Sequence, residues 1–198
     1  MNNGSSRESI RAVAIGASAG AVDALLHILP SLPKEYPLAV LMVVHVPPDS
    51  DSTLAMLLAG RCAITVKEAE DKEPIRPGVA YLAPPNYHLL VEPDLLLSLS
   101  SEEPVHYSRP SIDVLFESAA DAFGDSLAGV ILTGANSDGA RGLRAVVAAG
   151  GIALVQQPEG AEASTMPRAA LEACPTARAL SLEEIAAALK DELPRMLR

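Results

Sequence analysis

The sequence contains no tryptophan, and aromatic residues make up only 3% of its 198 residues. Its two cysteines, Cys62 and Cys174, lie far apart, which indicates reduced thiols rather than a disulfide framework or a zinc site. The apolar run over residues 37–44 is far shorter than the roughly 20 residues of a membrane span, and residues 1–9 show no apolar signal region. These absences predict a cytoplasmic protein without membrane insertion, whose core is built from alanine, leucine, valine and isoleucine.

Basic residues are in the minority, because 15 lysines and arginines face 25 aspartates and glutamates, for a formal net charge of −10. An acidic chain argues against nucleic acid or an anionic membrane surface as the main partner. The four histidines show no metal-ligand spacing, and no motif indicates a metal or nucleotide cofactor. With 49% hydrophobic residues the chain can form a sizeable core. We predict a loose tail over residues 1–9 and a single domain over residues 10–198.

Short apolar runs alternate with helix-like segments along most of the chain, which is typical of βαβ units and a mainly parallel sheet. Predicted strands cover residues 11–16, 37–44, 63–69, 127–134 and 151–157, and a predicted helix covers residues 51–61. The middle of the chain, Gly78 to Ser100, is broken by turn-like "APPNY" and "EPD". This segment predicts an antiparallel hairpin or meander at one edge of the sheet.

The stretch "VAIGASAGAV" places a serine directly after the first predicted strand. It lacks the GxxxxGK[ST] and GxGxxG spacings of phosphate-binding loops. Gly16, Ser18 and Gly20 fit instead the G-x-S-x-G pattern of a nucleophilic serine on a tight turn, and the N–H groups at the following helix start could stabilise an oxyanion. The pattern alone is a weak signal, because a serine at such a turn also serves as a helix cap.

Three polar residues follow three predicted strands: Ser18, His45 in "VVHVPP", and Asp138 in "ANSDGARG". The carboxyl ends of parallel strands meet at one edge of a sheet, where ligands bind. Serine, histidine and aspartate together form a triad of nucleophile, base and orienting carboxylate. Taken singly, each has a structural alternative, as a helix cap for Ser18 and Asp138 and as a loop histidine for His45. The chain order also differs from that of α/β-hydrolases, which have Ser, Asp, His.

Several blocks of the sequence, in order, resemble the CheB-type chemotaxis methylesterases. They are "GASAGAVDAL", "VVHVPP", "YLAPPNYHLLVE", "RPSIDVLFESAADAFG", "VILTGANSDGARGL" and "VQQPEGAEASTMPRAAL", and the resemblance extends over residues 11–189. It implies an α/β fold with a doubly wound, mainly parallel sheet, helices on both faces and an antiparallel hairpin at one edge. It also implies hydrolysis of glutamyl methyl esters on chemoreceptors, with release of methanol and deamidation of receptor glutamines in many members. By this resemblance, Ser18 is the nucleophile, His45 the general base and Asp138 its orienting partner.

The chain departs from the family pattern in two respects. Where the family commonly has Gly-Met-Gly-x-Asp-Gly, this chain has "GANSDG", so that Ala135 replaces methionine and Asn136 replaces glycine. Ala19 and Ala135 are the expected backbone donors to the oxyanion, and Asn136 tolerates a left-handed backbone better than most residues. Only residues 1–10 precede the first predicted strand, whereas the family commonly has an N-terminal receiver domain. We therefore expect a constantly active enzyme, control by a separate receiver protein, or a piece of a longer protein.

Arg109, Thr165 and Met166 are candidate contacts with the receptor substrate. Arg109 could equally pair with a neighbouring glutamate, and Thr165 and Met166 could simply begin a helix, with Pro167 in its first turn. The expected partners are the cytoplasmic domains of methylated chemoreceptors. Two other functions fit the altered "GANSDG" loop: a non-catalytic module that binds receptors or a signalling partner, and a hydrolase for a different ester or amide.

Overall fold

In a computed structural model, the described residues are 11–45, 53–105 and 107–196, and strands alternate with helices along most of them. The strands are β1 (Ala12–Ala17), β2 (Ala39–Val44), β3 (Thr65–Glu68), β4 (Val79–Leu82), β5 (His88–Val91), β6 (Leu97–Ser100), β7 (Leu127–Ile131), β8 (Ile152–Gln156) and β9 (Arg178–Leu180). The helices are α1 (Ala21–Ile28), α2 (Thr53–Ala59), α3 (Ile112–Phe123), α4 (Ala140–Ala148), α5 (Thr165–Ala173), α6 (Leu182–Ala187) and α7 (Leu193–Arg195), with a π-helical turn, Ala188–Glu192, between the last two.

Strand β1 lies at the centre of a seven-stranded parallel sheet with the order β3-β4-β2-β1-β7-β8-β9. All six of its residues are buried, as are those of β2, which explains why both strands are apolar without alternation. Because β2 pairs with one side of β1 and β7 with the other, the chain reverses its direction of winding at β1. Ligands bind at such a switch point, beyond the carboxyl ends of the strands.

Two apolar cores cover the two faces of the sheet. On one face Val13 and Ile15 of β1 pack with residues of α1, α2 and α6. On the other face Ala12 and Ala14 pack with residues of α3, α4 and α5. This alternation of side chains across β1 confirms a doubly wound α/β fold with helices on both faces.

The predicted hairpin is present, but it is shorter than the sequence suggested. β5 and β6 pair antiparallel as a separate two-stranded sheet, and the hydroxyl of Ser118 in α3 accepts a hydrogen bond from the Val91 N–H at 3.1 Å. Val79–Leu82, which was included in the predicted hairpin, instead forms β4 of the parallel sheet between β3 and β2. That part of the prediction is wrong because β4 pairs in parallel with β3 and β2, and the turn-like "APPNY" leads from β4 to β5 in the separate sheet instead of closing a hairpin.

The predicted strands over residues 37–44, 63–69, 127–134 and 151–157 are confirmed with shorter bounds, and the strand predicted over residues 11–16 is confirmed one residue later, as β1. The helix predicted over residues 51–61 contains α2. β9, α6 and α7 were not predicted. The tail over residues 1–9, the start of the predicted helix at residues 51–52, and His106 lie outside the described residues. The predicted boundary between tail and domain therefore stays a prediction.

Candidate active site

Ser18 lies on a tight turn between β1 and α1. Its N–H donates to the Thr133 carbonyl at 2.9 Å, and its own carbonyl accepts from the Ala21 N–H at 3.0 Å. Gly20 has φ of 79°, and a Cβ at this position would lie 2.8 Å from the Glu162 side chain, so the turn requires glycine. No side chain caps α1. The structure therefore does not use the Ser18 hydroxyl as a helix cap.

His45 directly follows β2, beside the serine turn. The parallel register pairs Ala17 with Val44, and the His45 N–H continues it by donating to the Ala17 carbonyl at 3.1 Å. Ser18 and His45 thus leave neighbouring strand ends together. The His45 ring is 12% exposed, and its Nε2 lies 2.8 Å from Oδ2 of Asp138. The ring is held by side chains, so His45 is not a loop histidine satisfied by the backbone.

The Asp138 carboxylate is completely buried and accepts four hydrogen bonds. Oδ1 accepts from the Ser111 hydroxyl and the Asp113 N–H, each at 3.0 Å. Oδ2 accepts from the Ile112 N–H at 2.7 Å and from His45 at 2.8 Å. Asp138 precedes α4 in the chain, yet its carboxylate caps the N-terminus of α3, where the helix dipole favours negative charge.

These contacts decide the charge of Asp138. Burial acts to raise the pKa of its carboxyl. The hydrogen bonds donated by His45 and by the backbone N–H groups of Asp113 and Ile112 outweigh burial and hold the pKa below its ordinary value. Asp138 is therefore an anion at neutral pH, and the neutral His45 ring carries its proton on Nε2, facing that anion.

Asn136 contacts the other ring nitrogen of His45. Its Oδ1 accepts from the Asp138 N–H at 3.1 Å, which turns the amide nitrogen toward His45. Nδ2 of Asn136 lies 3.1 Å from Nδ1 of His45. Asn136 does not have positive φ, so the left-handed backbone that we considered for this residue is not adopted. The role of Asn136 in the loop lies in its side chain.

Asp113 is a buried carboxylate that the sequence reasoning missed. Its Oδ1 accepts from the Gly139 N–H at 3.0 Å and the Gly142 N–H at 2.7 Å, at the start of α4. Burial raises the pKa of Asp113, and the charge of Asp138 acts in the same direction against the hydrogen bond from Gly142. An acidic residue in the first turn after Ser111 was the available signal, but it indicates the start of α3 rather than a contact with α4.

Thr133 links the serine turn to the segment before α5. Its hydroxyl donates to the Ala19 carbonyl at 2.8 Å and accepts from the Ala163 N–H at 2.9 Å. Its own N–H donates to the buried Gln156 side chain at 2.9 Å. The backbone beside Ser18 is therefore held by the hydrogen bonds of the Thr133 side chain as well as by the pairing of β1 in the sheet.

Ala19 and Ala135, the expected oxyanion donors, are both exposed. Within the part of the chain that the structure describes, neither backbone N–H donates to a protein acceptor.

The three candidate substrate contacts differ in accessibility. Arg109 donates from Nη1 to the carbonyls of Ser101 at 2.8 Å and Glu102 at 3.0 Å, so it braces its own loop rather than pairing with a glutamate carboxylate. Thr165 begins α5 and is exposed. Met166 is 1% exposed and packs tightly on Gly134. The structure therefore places Met166 in the core behind the site and does not support it as a substrate contact.

Two kinds of feature are absent from residues 11–45, 53–105 and 107–196. No group of three or more histidine, cysteine, aspartate or glutamate residues there could hold a metal ion. No helix in these ranges has the length and apolar character needed to span a membrane.

Comparisons with known proteins agree with this geometry. The family model described as CheB methylesterase matches residues 13–189. A Leptospira interrogans protein, provisionally named protein-glutamate methylesterase/protein-glutamine glutaminase, is 51% identical over 175 residues, which are 88% of this chain and 91% of the relative. The Paraburkholderia xenovorans protein of the same name is 44% identical over 162 residues, 80% of this chain and 44% of the relative.

A solved structure is also similar. The crystal structure of the Thermotoga maritima CheB methylesterase catalytic domain superposes with a TM-score of 0.87 at 33% identity, over 91% of this chain and 97% of that one. The chain thus spans nearly all of this catalytic domain and of the Leptospira relative, but less than half the length of the Paraburkholderia relative.

Proposed function

Because this chain belongs to the CheB methylesterase family, we propose that it hydrolyses methyl esters of glutamate side chains on chemotaxis receptors, with Ser18 as the nucleophile. The observation that carries this proposal is the hydrogen bond between Nε2 of His45 and the buried Asp138 carboxylate, at the strand end beside Ser18. A histidine oriented by a carboxylate next to a serine on a tight turn is the arrangement that activates a serine hydroxyl.

The reaction begins with transfer of a proton. Nδ1 of His45 takes the Ser18 hydroxyl proton while Oγ attacks the ester carbonyl, and Asp138 stabilises the imidazolium that forms. We assign to the N–H groups of Ala19 and Ala135 the role of donors to the tetrahedral oxyanion. His45 then gives the proton to the departing methoxide, which leaves as methanol, and a glutamyl ester on Ser18 remains.

The second half of the reaction restores the enzyme. His45 takes a proton from water as the water oxygen attacks the acyl carbonyl, and the proton then passes to Ser18 Oγ as the glutamate is released. Because the hydrogen bonds from His45 and from the Asp113 and Ile112 N–H groups keep the pKa of Asp138 below its ordinary value, its carboxylate can balance the imidazolium in both halves. The same steps with ammonia as leaving group would deamidate a glutamine, an activity that the relatives' names include.

The setting of this activity is part of the proposal. The substrates are the methylated cytoplasmic domains of chemoreceptors, where removal of methyl groups adjusts receptor adaptation, and we place the enzyme in the cytoplasm with them. A separate receiver protein is the proposed regulator. The acidic chain, with a net charge of −10, does not favour nucleic acid as a further partner.

The decisive experiment measures release of labelled methanol from receptor membranes carrying radioactive methyl esters. The wild-type protein should release methanol, and Ser18→Ala should lower the rate by at least about a thousandfold, as expected for loss of a triad nucleophile. Ser137→Ala is the matched control, because Ser137 is an exposed serine in the loop beside the site. Equal release by wild type and Ser18→Ala would overturn the proposal.

A non-catalytic receptor-binding module is the second candidate, favoured by the replacement of methionine and glycine by Ala135 and Asn136 in the site loop. It predicts that the folded wild-type protein binds methylated receptors without releasing methanol. Turnover of small esters without activity on receptors would favour a hydrolase for another substrate.

A further inference from the structure

We propose that Asn136 acts through His45: in the substrate-free enzyme its side-chain amide donates a hydrogen bond to Nδ1, the base nitrogen of His45. This hydrogen bond must break before the Ser18 hydroxyl can donate to the same nitrogen. This inference rests on the proposed function, because it concerns how Ser18 becomes activated. It assigns to Asn136 a restraining effect on the basal reactivity of the serine.

The orientation of the Asn136 amide is set by two contacts. Its Oδ1 accepts the Asp138 N–H at 3.1 Å, and its Nδ2 lies 3.1 Å from Nδ1 of His45. A reversed amide would place its NH2 group against the Asp138 N–H, so that two donors would face each other. The contact with His45 is therefore N–H to ring nitrogen.

The His45 ring can accept only one such donor. Nε2 holds the proton that faces the Asp138 carboxylate at 2.8 Å, so that the single in-plane lone pair of the neutral ring is on Nδ1. That lone pair must accept the Ser18 proton for general-base catalysis. It already accepts from Asn136, and the Ser18 hydroxyl makes no hydrogen bond within the described residues.

The competition between Asn136 and Ser18 for Nδ1 of His45 increases as the Ser18 proton is transferred to that nitrogen. Once Nδ1 has taken the Ser18 proton, it becomes an N–H donor and cannot accept from the Asn136 amide. The amide therefore stabilises the resting neutral ring and opposes the imidazolium of the transition state. An interaction that is stronger in the ground state than in the transition state slows the reaction.

The test compares the rate at which a fluorophosphonate labels Ser18 in the full chain, followed by mass spectrometry, with Ser18→Ala as the blank. Asn136→Gly and Asn136→Ala remove the amide and should label about three to ten times faster than wild type, the range expected for release of one hydrogen bond. Ser137→Ala, an exposed neighbour, should label at the wild-type rate.

Asn136→Asp separates the two contacts of the side chain. The aspartate keeps an acceptor for the Asp138 N–H, but its carboxylate cannot donate to Nδ1 and favours a proton there. This variant should label more slowly than wild type, because the base nitrogen is then protonated. Faster labelling of Gly and Ala variants together with slower labelling of the Asp variant would support the inference.

Other patterns would overturn it. Slower labelling of all three variants would make Asn136 a donor that the transition state needs. Slower labelling of the Gly and Ala variants with wild-type labelling of Asn136→Asp would show that only the contact with the Asp138 N–H matters. Failure of Ser18 to react in wild type and every variant would overturn the proposed function itself, and the inference with it.

Discussion

The Asp138 carboxylate caps the N-terminus of α3, the helix that contains Asp113, and the Asp113 carboxylate caps the N-terminus of α4, the helix that directly follows Asp138. Asp138 precedes α4 and accepts from the first N–H groups of α3, whereas Asp113 lies in α3 and accepts from Gly139 and Gly142 at the start of α4. The N-terminal N–H groups of a helix have no partner within it, and a carboxylate placed there is stabilised by them. These reciprocal hydrogen bonds hold α3 against α4, and they thereby fix the position of the Asp138 carboxylate, which contacts His45.

We expect Asp138→Asn to lower kcat by on the order of ten-thousandfold, the size of loss known for the corresponding change in another triad enzyme. The amide would offer N–H groups toward the donors that now bind the carboxylate, and it could no longer balance the imidazolium. The melting temperature should fall as well, because the change disturbs the start of α3. A variant that keeps kcat within tenfold of wild type would contradict the assigned role.

The two carboxylates should affect stability oppositely as pH changes. The pKa of Asp138 is lowered in the folded state, so its stabilising contribution is present above its unfolded pKa of about 3.9 and is lost as pH falls through the folded value. The pKa of Asp113 is raised, so its contribution is present below the unfolded value and is lost as pH rises through the folded one.

Asp113→Asn isolates the second of these effects, because an amide oxygen can still accept from Gly139 and Gly142 without carrying a charge. Its free energy of unfolding, relative to wild type, should increase as pH rises from about 4 through the raised pKa. Urea unfolding at a series of pH values measures this difference. A difference that stays constant with pH would show that the Asp113 charge does not oppose folding.

Thr133→Val tests the bracing of the serine turn. Valine has a similar shape but leaves the Ala163 N–H without its acceptor and the Ala19 carbonyl without its donor, at a cost of about 1–3 kcal/mol in the free energy of unfolding. We also expect a lower kcat, since the backbone beside Ser18 loses a support. Thr133→Ser retains the hydroxyl and should restore most of both. If Thr133→Ser lost as much activity as Thr133→Val, the loss would result from the packing of the missing methyl group and not from the hydroxyl.

Met166→Ala distinguishes a core residue from a substrate contact. The side chain is 1% exposed and packed on Gly134, so truncation should leave a cavity and cost about 2–5 kcal/mol of unfolding free energy. KM for methylated receptor should change little, and Met166→Leu should cost less than about 1.5 kcal/mol. A raised KM at unchanged melting temperature would restore Met166 as a substrate contact.

Strand pattern and family resemblance predicted the parts of this molecule that depend on local sequence. Ser18, His45 and Asp138 each follow a strand, and the parallel sheet brings strand ends together without further information. The family and the doubly wound fold are confirmed by the comparisons. The catalytic roles of the three residues stay predictions until Ser18→Ala and its companions are measured.

Features that depend on contacts between segments distant in sequence, or on the direction of a single side chain, were not predictable. The contact of Asp113 with Gly142 joins α3 to α4, and neither segment encodes the other's position in its periodicity. The contact of Asn136 with His45 needs a side-chain orientation that is fixed by a loop hydrogen bond. The burial of Met166 was also not predictable, because the block "STMPRAAL" indicates which loop the residue adjoins and not the direction of its side chain.

The central place of β1 has a consequence for synthesis of the protein. Among the strands described here, β1 is synthesised before the others, with the serine turn at its end, whereas its second neighbour β7 begins only at Leu127 and Asp138 follows later still. Pairings between segments so distant in sequence form late and slowly. While residues 19–137 are being made, Ser18, the proposed nucleophile, is therefore without the Asp138 carboxylate that holds His45. A fragment ending before Asp138 should show no esterase activity, so that the proposed activity requires synthesis of the chain at least as far as Asp138.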